Sequence, residues 1–168
     1  TALDAAAKLD KSLPPELLKD FAGMQPVKAA PYFSHVQFSS PDVLVALPDP
    51  GPDFVLLKGM WHYARAVGFA RTGALAESAR EVEALGVLER TADFKPIADW
   101  GFPAREIVHT ARAVAAGRLA EARGDLPAAV KSYEEAVAVQ DTLPYTEPPY
   151  WYYPVRQSLG ADMLRAGQ

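Results

Sequence analysis

The chain has 168 residues, about the size of one domain. Its 17 lysines and arginines against 21 aspartates and glutamates give a net charge of −4, which argues against binding to nucleic-acid phosphates. It has no cysteine, which excludes disulfides and cysteine-ligated zinc, and no apolar run near the roughly 18 residues that a membrane span needs.

No signal-peptide pattern is visible at the N-terminus, so the compartment stays open, with the cytoplasm favoured. The sequence begins at Thr1 without a methionine and stops just after a helical pattern that ends at Gly167. We therefore expect the chain to be a segment of a longer protein.

The composition predicts an all-α fold. Thirty alanines favour helices, and the 15 prolines cluster between the helical patterns. We expect an irregular or partly helical segment over residues 1–30 and helical repeats over residues 31–168. The predicted helices cover residues 15–22, 31–38, 42–47, 53–72, 74–88, 103–123, 126–140 and 148–166.

The ends of these helices carry recognisable signals. Gly73, Gly124 and Gly167 follow helical patterns, where a glycine can adopt the left-handed conformation that ends a helix. Asp125 is placed to cap the next helix, which has Pro127 in its first turn. The sequence therefore predicts helix pairs joined by short turns.

The second pair of helices repeats the pattern of the first. At the same offsets the first pair has Ala66, Phe69, Gly73, Ser78, Val82 and Leu85, and the second has Gly117, Ala120, Gly124, Ala129, Tyr133 and Ala136. Small residues at 66, 117, 129 and 160 are expected to let helices approach closely, with aromatic rings beside them. Because each pair has an apolar face that it cannot bury alone, the pairs are expected to stack.

This pattern resembles the tetratricopeptide repeat, a helix-turn-helix unit of about 34 residues. The residues that carry the resemblance are Gly117, Gly124, Ala129, Tyr133 and Ala136, with Leu159 and Gly160 in the next unit. The chain departs from the family's pattern at Ala120, where the family prefers an aromatic residue, and at Ser78, where the family prefers alanine. The strings 60–65 and 147–156 are also similar to those of large bacterial repeat proteins of undefined role.

The resemblance implies antiparallel helix pairs stacked as a right-handed superhelix. Two longer linkers, rich in proline and aromatic residues, would interrupt it at 89–103 and 141–149. The implied units are a degenerate one at 31–48, two fuller ones at 53–88 and 103–140, and the first helix of an incomplete one at 148–168.

Such a superhelix would line a concave groove with its first helices. The residues expected to face it are Met60, Tyr63, Val67, Arg71, Val114, Arg118, Glu121, Gln157, Ala161 and Arg165. Three arginines suit an acidic or carboxylate-ended peptide. The asparagine-and-lysine clamp of chaperone-tail-binding members is missing, because Val67, Arg118 and Ala161 occupy its position. The alternative is that these residues only solvate the surface.

No catalytic, metal-binding or cofactor-binding set is predicted. His35, His62 and His109 lack the three- or four-residue spacing of a helical metal motif, although His35 and His62 could lie close together on neighbouring first helices. The interpretation we favour makes each histidine a partly buried member of a helix-packing face. The serines lack a Gly-x-Ser-x-Gly context, and no glycine-rich phosphate loop occurs.

Five of the nine residues in 145–153 are aromatic. They could form a stacking platform for a peptide or sugar, but we favour a structural role in which the rings cover the gap left by the longer linker. Residues 99–103 allow the same two interpretations.

The leading hypothesis is a non-enzymatic scaffold that binds a protein or peptide through the groove. The alternative is homo-oligomerisation or an intramolecular scaffold within a larger protein, and the third is a metal-dependent enzyme that uses the histidines.

Overall fold

The computed structural model describes residues 1–167. Ten α-helices and one short 3-10 helix (Ala22–Met24) form this part of the chain, which contains no strand, so the all-α prediction is confirmed. None of these helices combines the length and apolar character needed to cross a bilayer. The α-helices are α1 Ala2–Ser12, α2 Pro15–Asp20, α3 Gln25–Phe38, α4 Pro41–Val45, α5 Val55–Thr72, α6 Leu75–Thr91, α7 Lys95–Ala98, α8 Ala104–Ala122, α9 Leu126–Gln140 and α10 Arg156–Arg165.

Local sequence explains where several helices begin and end. Gly73, Gly124 and Gly167 all have positive φ angles, between 74° and 79°, which confirms the predicted left-handed turns. The Asp125 side chain accepts a hydrogen bond from the backbone N–H of Ala128, which confirms the predicted cap of α9.

The helices pack in a regular order along the chain. α5 and α6 form one hairpin, and α8 and α9 form the next. α8 packs against both helices of the preceding hairpin, and α5 packs in the same way against α3 and α4. α10 follows on α9, and α1 lies on α3. Each first helix is therefore covered by the helices before it as well as by its own partner.

Small residues permit the close approach of α8 and α9. A Cβ atom added to Gly117 would lie 2.7 Å from the ring of Tyr133, which is fully buried. In the preceding hairpin, the buried Ser78 hydroxyl donates to the carbonyl of Ala66 at 2.9 Å. Gly160 was expected to play the same part in α10, but a Cβ there meets no atom within 4 Å, so that expectation is wrong.

The start of α3 differs from the prediction. The helix begins at Gln25, six residues before the predicted start at residue 31, and Pro31 lies buried inside it. Pro26 occupies the first turn, where a proline needs no hydrogen-bond partner. Pro31 lacks an N–H, so one hydrogen bond is missing in mid-helix. The predicted boundary between residues 30 and 31 therefore falls within a single helix.

The last helix is also shorter than predicted. α10 starts at Arg156, and residues 148–155 are non-helical instead of forming its first two turns. Pro154 disfavours a helical conformation for Tyr153, and Trp151 is buried in the core rather than placed on a helix. In the other linker, α6 extends to Thr91 and α7 forms a further short helix.

Candidate functional site

A groove of about 800 Å³ lies along α3, α5, α8 and α10, and we call it the arginine groove. The structure brings all seven residues of the predicted site into its lining, namely Tyr63, Val67, Arg71, Arg118, Glu121, Gln157 and Arg165. They come from three helices that are far apart in the sequence. Ala161 lines it too.

The groove lies along the C-terminal halves of α3, α5 and α8 and along α10. Met60 and Val114, which were expected to face the same surface, are fully buried and do not line this groove. Met60 instead lines a second cavity, with Leu56 of the same helix.

Tyr63 and Val67 form the floor of the groove rather than its accessible wall. Tyr63 is 1% exposed, and its hydroxyl lies 2.8 Å from the hydroxyl of Tyr152. Burial raises the pKa of Tyr63 well above its ordinary value. The phenol is therefore neutral at physiological pH and contributes mainly to packing.

Two of the three groove arginines are paired with acids. Arg118 donates to Glu121 at 3.0 Å and to the Ser158 hydroxyl at 3.2 Å. Arg165 lies 2.8 Å from Asp162 and 3.5 Å from Glu121. Burial raises the pKa of Glu121 above its ordinary value, Arg118 opposes this change, and the neighbouring Asp162 adds to it. Much of the positive charge expected from the sequence is therefore compensated inside the groove.

Arg71 is the exception among these arginines. It is exposed in the last turn of α5, donates to the backbone carbonyl of Ser39 at 3.3 Å, and has no carboxylate within 4.0 Å among residues 1–167. An exposed guanidinium without a carboxylate partner at the edge of a groove can pair with an incoming carboxylate. Arg71 is thus the side chain best placed to recognise a negative group.

The sequence interpretation missed part of the groove wall. Tyr152 and Tyr153 line it, together with Val36 and Gln37 from α3. The hydroxyl of Tyr153 lies 3.2 Å from that of Ser158. The two tyrosines belong to a segment that was predicted to be helical, and Val36 and Gln37 belong to a helix of the degenerate unit. Only the tertiary structure brings these two elements to the groove.

Two rings of the aromatic segment 145–153 pack against rings of α3 and α5. Trp151 is 1% exposed and packs edge-to-face against Phe33 at 5.3 Å and Tyr63 at 5.2 Å between ring centroids. Tyr152 stacks on Phe33 at 4.6 Å. The segment thus packs on α3 and α5, and its Tyr152 lines the arginine groove.

His62 of α5 and His109 of α8 both contact carboxylates of α6. His62 Nδ1 lies 2.6 Å from Glu81, which also accepts a hydrogen bond from Arg65 at 2.7 Å. His109 and Arg112 bind Glu89 in the same way, each at 2.7 Å. A histidine and an arginine three residues apart on a first helix therefore hold one carboxylate of α6 in each case.

His35 has a different partner, since its Nδ1 lies 2.9 Å from the hydroxyl of Ser39. All three histidines are half-buried. Within residues 1–167, no three histidine, aspartate or glutamate side chains are grouped closely enough to hold a metal ion. His62 and His109 thus connect packed helices, whereas His35 contacts the end of its own helix.

The pKa values of the two glutamates predict how stability depends on pH. Burial by itself raises the pKa of Glu81, but the hydrogen bonds from His62 and Arg65 outweigh it, so the pKa lies below its ordinary value of 4.5. The pKa of Glu89 is lowered in the same way by Arg112 and His109. A carboxylate of this kind stabilises the fold above its unfolded pKa, and the contribution is lost as the pH falls through the folded pKa.

We expect Glu81→Gln to lower the free energy of unfolding by about 1–2 kcal/mol at pH 7, and by less below about pH 4, where the wild-type carboxylate is itself becoming protonated. Urea unfolding of both proteins at pH 7, 4 and 3 measures the difference. The control is Glu83→Gln, because Glu83 is exposed and pairs only with exposed Arg90 at 3.2 Å. A loss that grows towards low pH would contradict the expected sign.

Comparison of the chain with protein-family models, with curated proteins and with solved structures finds no match. A functional proposal therefore depends on the chemistry of the arginine groove and on the packing order of the helices.

Proposed function

We propose that this chain is a non-enzymatic scaffold of the tetratricopeptide-repeat type that binds a peptide in the arginine groove. The packing order supports the repeat assignment, because α8 lies on both helices of the α5–α6 hairpin, and α5 lies on both α3 and α4. The turn glycines and the contact of Gly117 with Tyr133 occupy the positions that carry the resemblance. The histidines support a non-enzymatic role, since the Nδ1 atoms of His62 and His109 contact carboxylates of α6 and that of His35 contacts the Ser39 hydroxyl at the end of its own helix.

The observation that carries the peptide proposal is the position of Arg71. It stands uncompensated at the edge of a groove whose floor includes the buried side chains of Val67 and Ala70. Arg118 and Arg165 are already paired with Glu121 and Asp162. This arrangement suits a peptide that presents one carboxylate to Arg71 and lays an apolar side chain on the floor.

An array of acidic hexapeptides with free C-terminal carboxylates, each matched by its C-terminally amidated form, would test the proposal. We expect wild-type protein to retain a subset of the acidic peptides. Arg71→Gln should weaken their binding by about tenfold, which corresponds to ~1.4 kcal/mol. Fluorescence anisotropy with the peptides retained by the array gives the affinities.

The matched control is Arg80→Gln, which makes the same change of charge at an exposed position of α6. Arg80 pairs there with Glu77 at 2.9 Å. This variant should bind the peptides as wild type does. If both variants weaken peptide binding equally, the effect comes from the change in net charge and not from the groove. If folded wild-type protein binds none of the peptides, the proposal is rejected. Tyr63→Ala is a poor probe, because removing so deeply buried a ring damages the fold as well as the groove.

Self-association or packing within a longer protein is the second candidate. It is favoured by α10, which packs on α9 and leaves Leu164 78% exposed. Light scattering over rising protein concentration separates the candidates, because a mass that grows with concentration supports self-association and a constant monomeric mass supports the peptide scaffold.

A further inference from the structure

The second cavity, of about 670 Å³, is lined in part by the aromatic segment, and we call it the apolar chamber. It covers the N-terminal halves of the first helices, with Leu56 and Met60 from α5 and Ile107 from α8 in its wall. The edge-to-face pair of Phe102 and Tyr150, whose centroids are 5.2 Å apart, forms part of another wall. The chamber is thus built from several elements that are distant in sequence.

The chemistry of this chamber differs from that of the arginine groove. No lysine, arginine, histidine, aspartate or glutamate of residues 1–167 lines it. Water in such a space finds few hydrogen-bonding partners, so an apolar molecule that displaces it gains hydrophobic free energy. A charged ligand would lose its hydration without a compensating ion pair. The walls therefore select against charge.

A few polar groups interrupt this apolar lining. Ser34 and Gln37 lie three residues apart on α3 and both line the chamber, and neither side chain makes a hydrogen bond with another residue of 1–167. A hydroxyl and an amide can donate to or accept from a single carbonyl or hydroxyl group. An apolar pocket of roughly 300–1,000 Å³ with few polar groups is the usual form of a small-molecule site.

We propose that the apolar chamber binds an uncharged, largely apolar small molecule, whose one polar group bonds to Ser34 and Gln37. The chamber adjoins the arginine groove, since Gln37 and Tyr152 line both cavities, but within residues 1–167 only the groove has charged residues in its lining. The proposal for the chamber does not rest on the peptide-binding proposal, since its ligand needs none of the arginines.

The test uses two fluorescent probes that differ by one charged group. N-phenyl-1-naphthylamine is uncharged, and 8-anilinonaphthalene-1-sulfonate is the same ring system with a sulfonate. We expect wild-type protein to bind the uncharged probe saturably at one site, at least about tenfold more tightly than the sulfonate. Ala30→Phe places a ring in the chamber and should weaken the binding of the uncharged probe by a similar factor.

The matched control is Ala161→Phe, the same change in the lining of the arginine groove, which should leave probe binding unchanged. Equal loss in both variants, tighter binding of the sulfonate, or no saturable binding by wild-type protein would overturn the proposal. If circular dichroism shows that Ala30→Phe does not fold, Val27→Glu serves instead. Val27 lines the chamber from the exposed side of α3, and a carboxylate there should also weaken the uncharged probe.

Discussion

Replacing Trp151 by alanine is expected to lower the free energy of unfolding by about 3–5 kcal/mol, one of the larger losses that a single substitution produces. The Trp151 side chain is 1% exposed and lies between the rings of Phe33 and Tyr63. Its removal would leave a large cavity between α3, α5 and the aromatic segment. Urea unfolding followed by far-ultraviolet circular dichroism measures the loss.

Two further variants make this result specific. Trp100→Ala removes the same side chain from a position that is 61% exposed, and should cost about 1 kcal/mol or less. Trp151→Phe keeps a ring in place and removes a buried indole N–H that has no hydrogen-bond partner among residues 1–167, so its loss should be clearly smaller than that of the alanine variant. A small loss for Trp151→Ala would mean that the segment does not pack across the first helices.

Replacing Gly117 by alanine is expected to destabilise the protein by about 1–3 kcal/mol, although alanine is the better helix former. The new Cβ would lie 2.7 Å from two ring carbons of Tyr133. The ring cannot move aside easily, because Tyr133 is fully buried between α8 and α9. Chemical denaturation of the variant measures the loss.

Gly160→Ala is the matched control, since it makes the same change in α10 where a Cβ meets no atom within 4 Å. It should be neutral or stabilise the protein by up to about 1 kcal/mol. Combining Gly117→Ala with Tyr133→Leu tests the cause, because a smaller side chain at 133 should make the two changes non-additive. If the losses in the free energy of unfolding simply add, the strain caused by the new Cβ does not come from the Tyr133 ring.

Much of the fold follows from local patterns in the sequence. The periodicity of apolar residues, the turn glycines 73 and 124 and the cap at Asp125 predict most helices of the two hairpins to within a few residues. These features act within one or two turns of the chain, so they do not depend on what packs around them. For the same reason, the spacing of Tyr63, Arg71 and Arg118 from their turns was enough to place them on the first helices.

The sequence was misleading where long-range packing competes with local preference. Pro31 resembles a helix start, but it is accommodated inside α3, and residues 148–155 resemble the beginning of a helix but lie non-helical across the concave face. The contact between Tyr63 and Tyr152 joins residues 89 positions apart. No spacing rule anticipates such a contact.

By itself, then, the sequence determined the helical class and the turns, because helix propensity, capping and periodicity are short-range properties. The seven groove residues were implied by the resemblance to the repeat. The pairs of Arg118 with Glu121 and of Arg165 with Asp162 join residues three apart on one helix, so they are local. Only the tertiary structure showed that Arg165 also approaches Glu121 of another helix and that Arg71 has no carboxylate within 4.0 Å among residues 1–167. It also decided that one aromatic segment contributes to both a charged groove and an apolar chamber, since Tyr152 lines both. Both outcomes depend on which side chains fill the space between stacked hairpins.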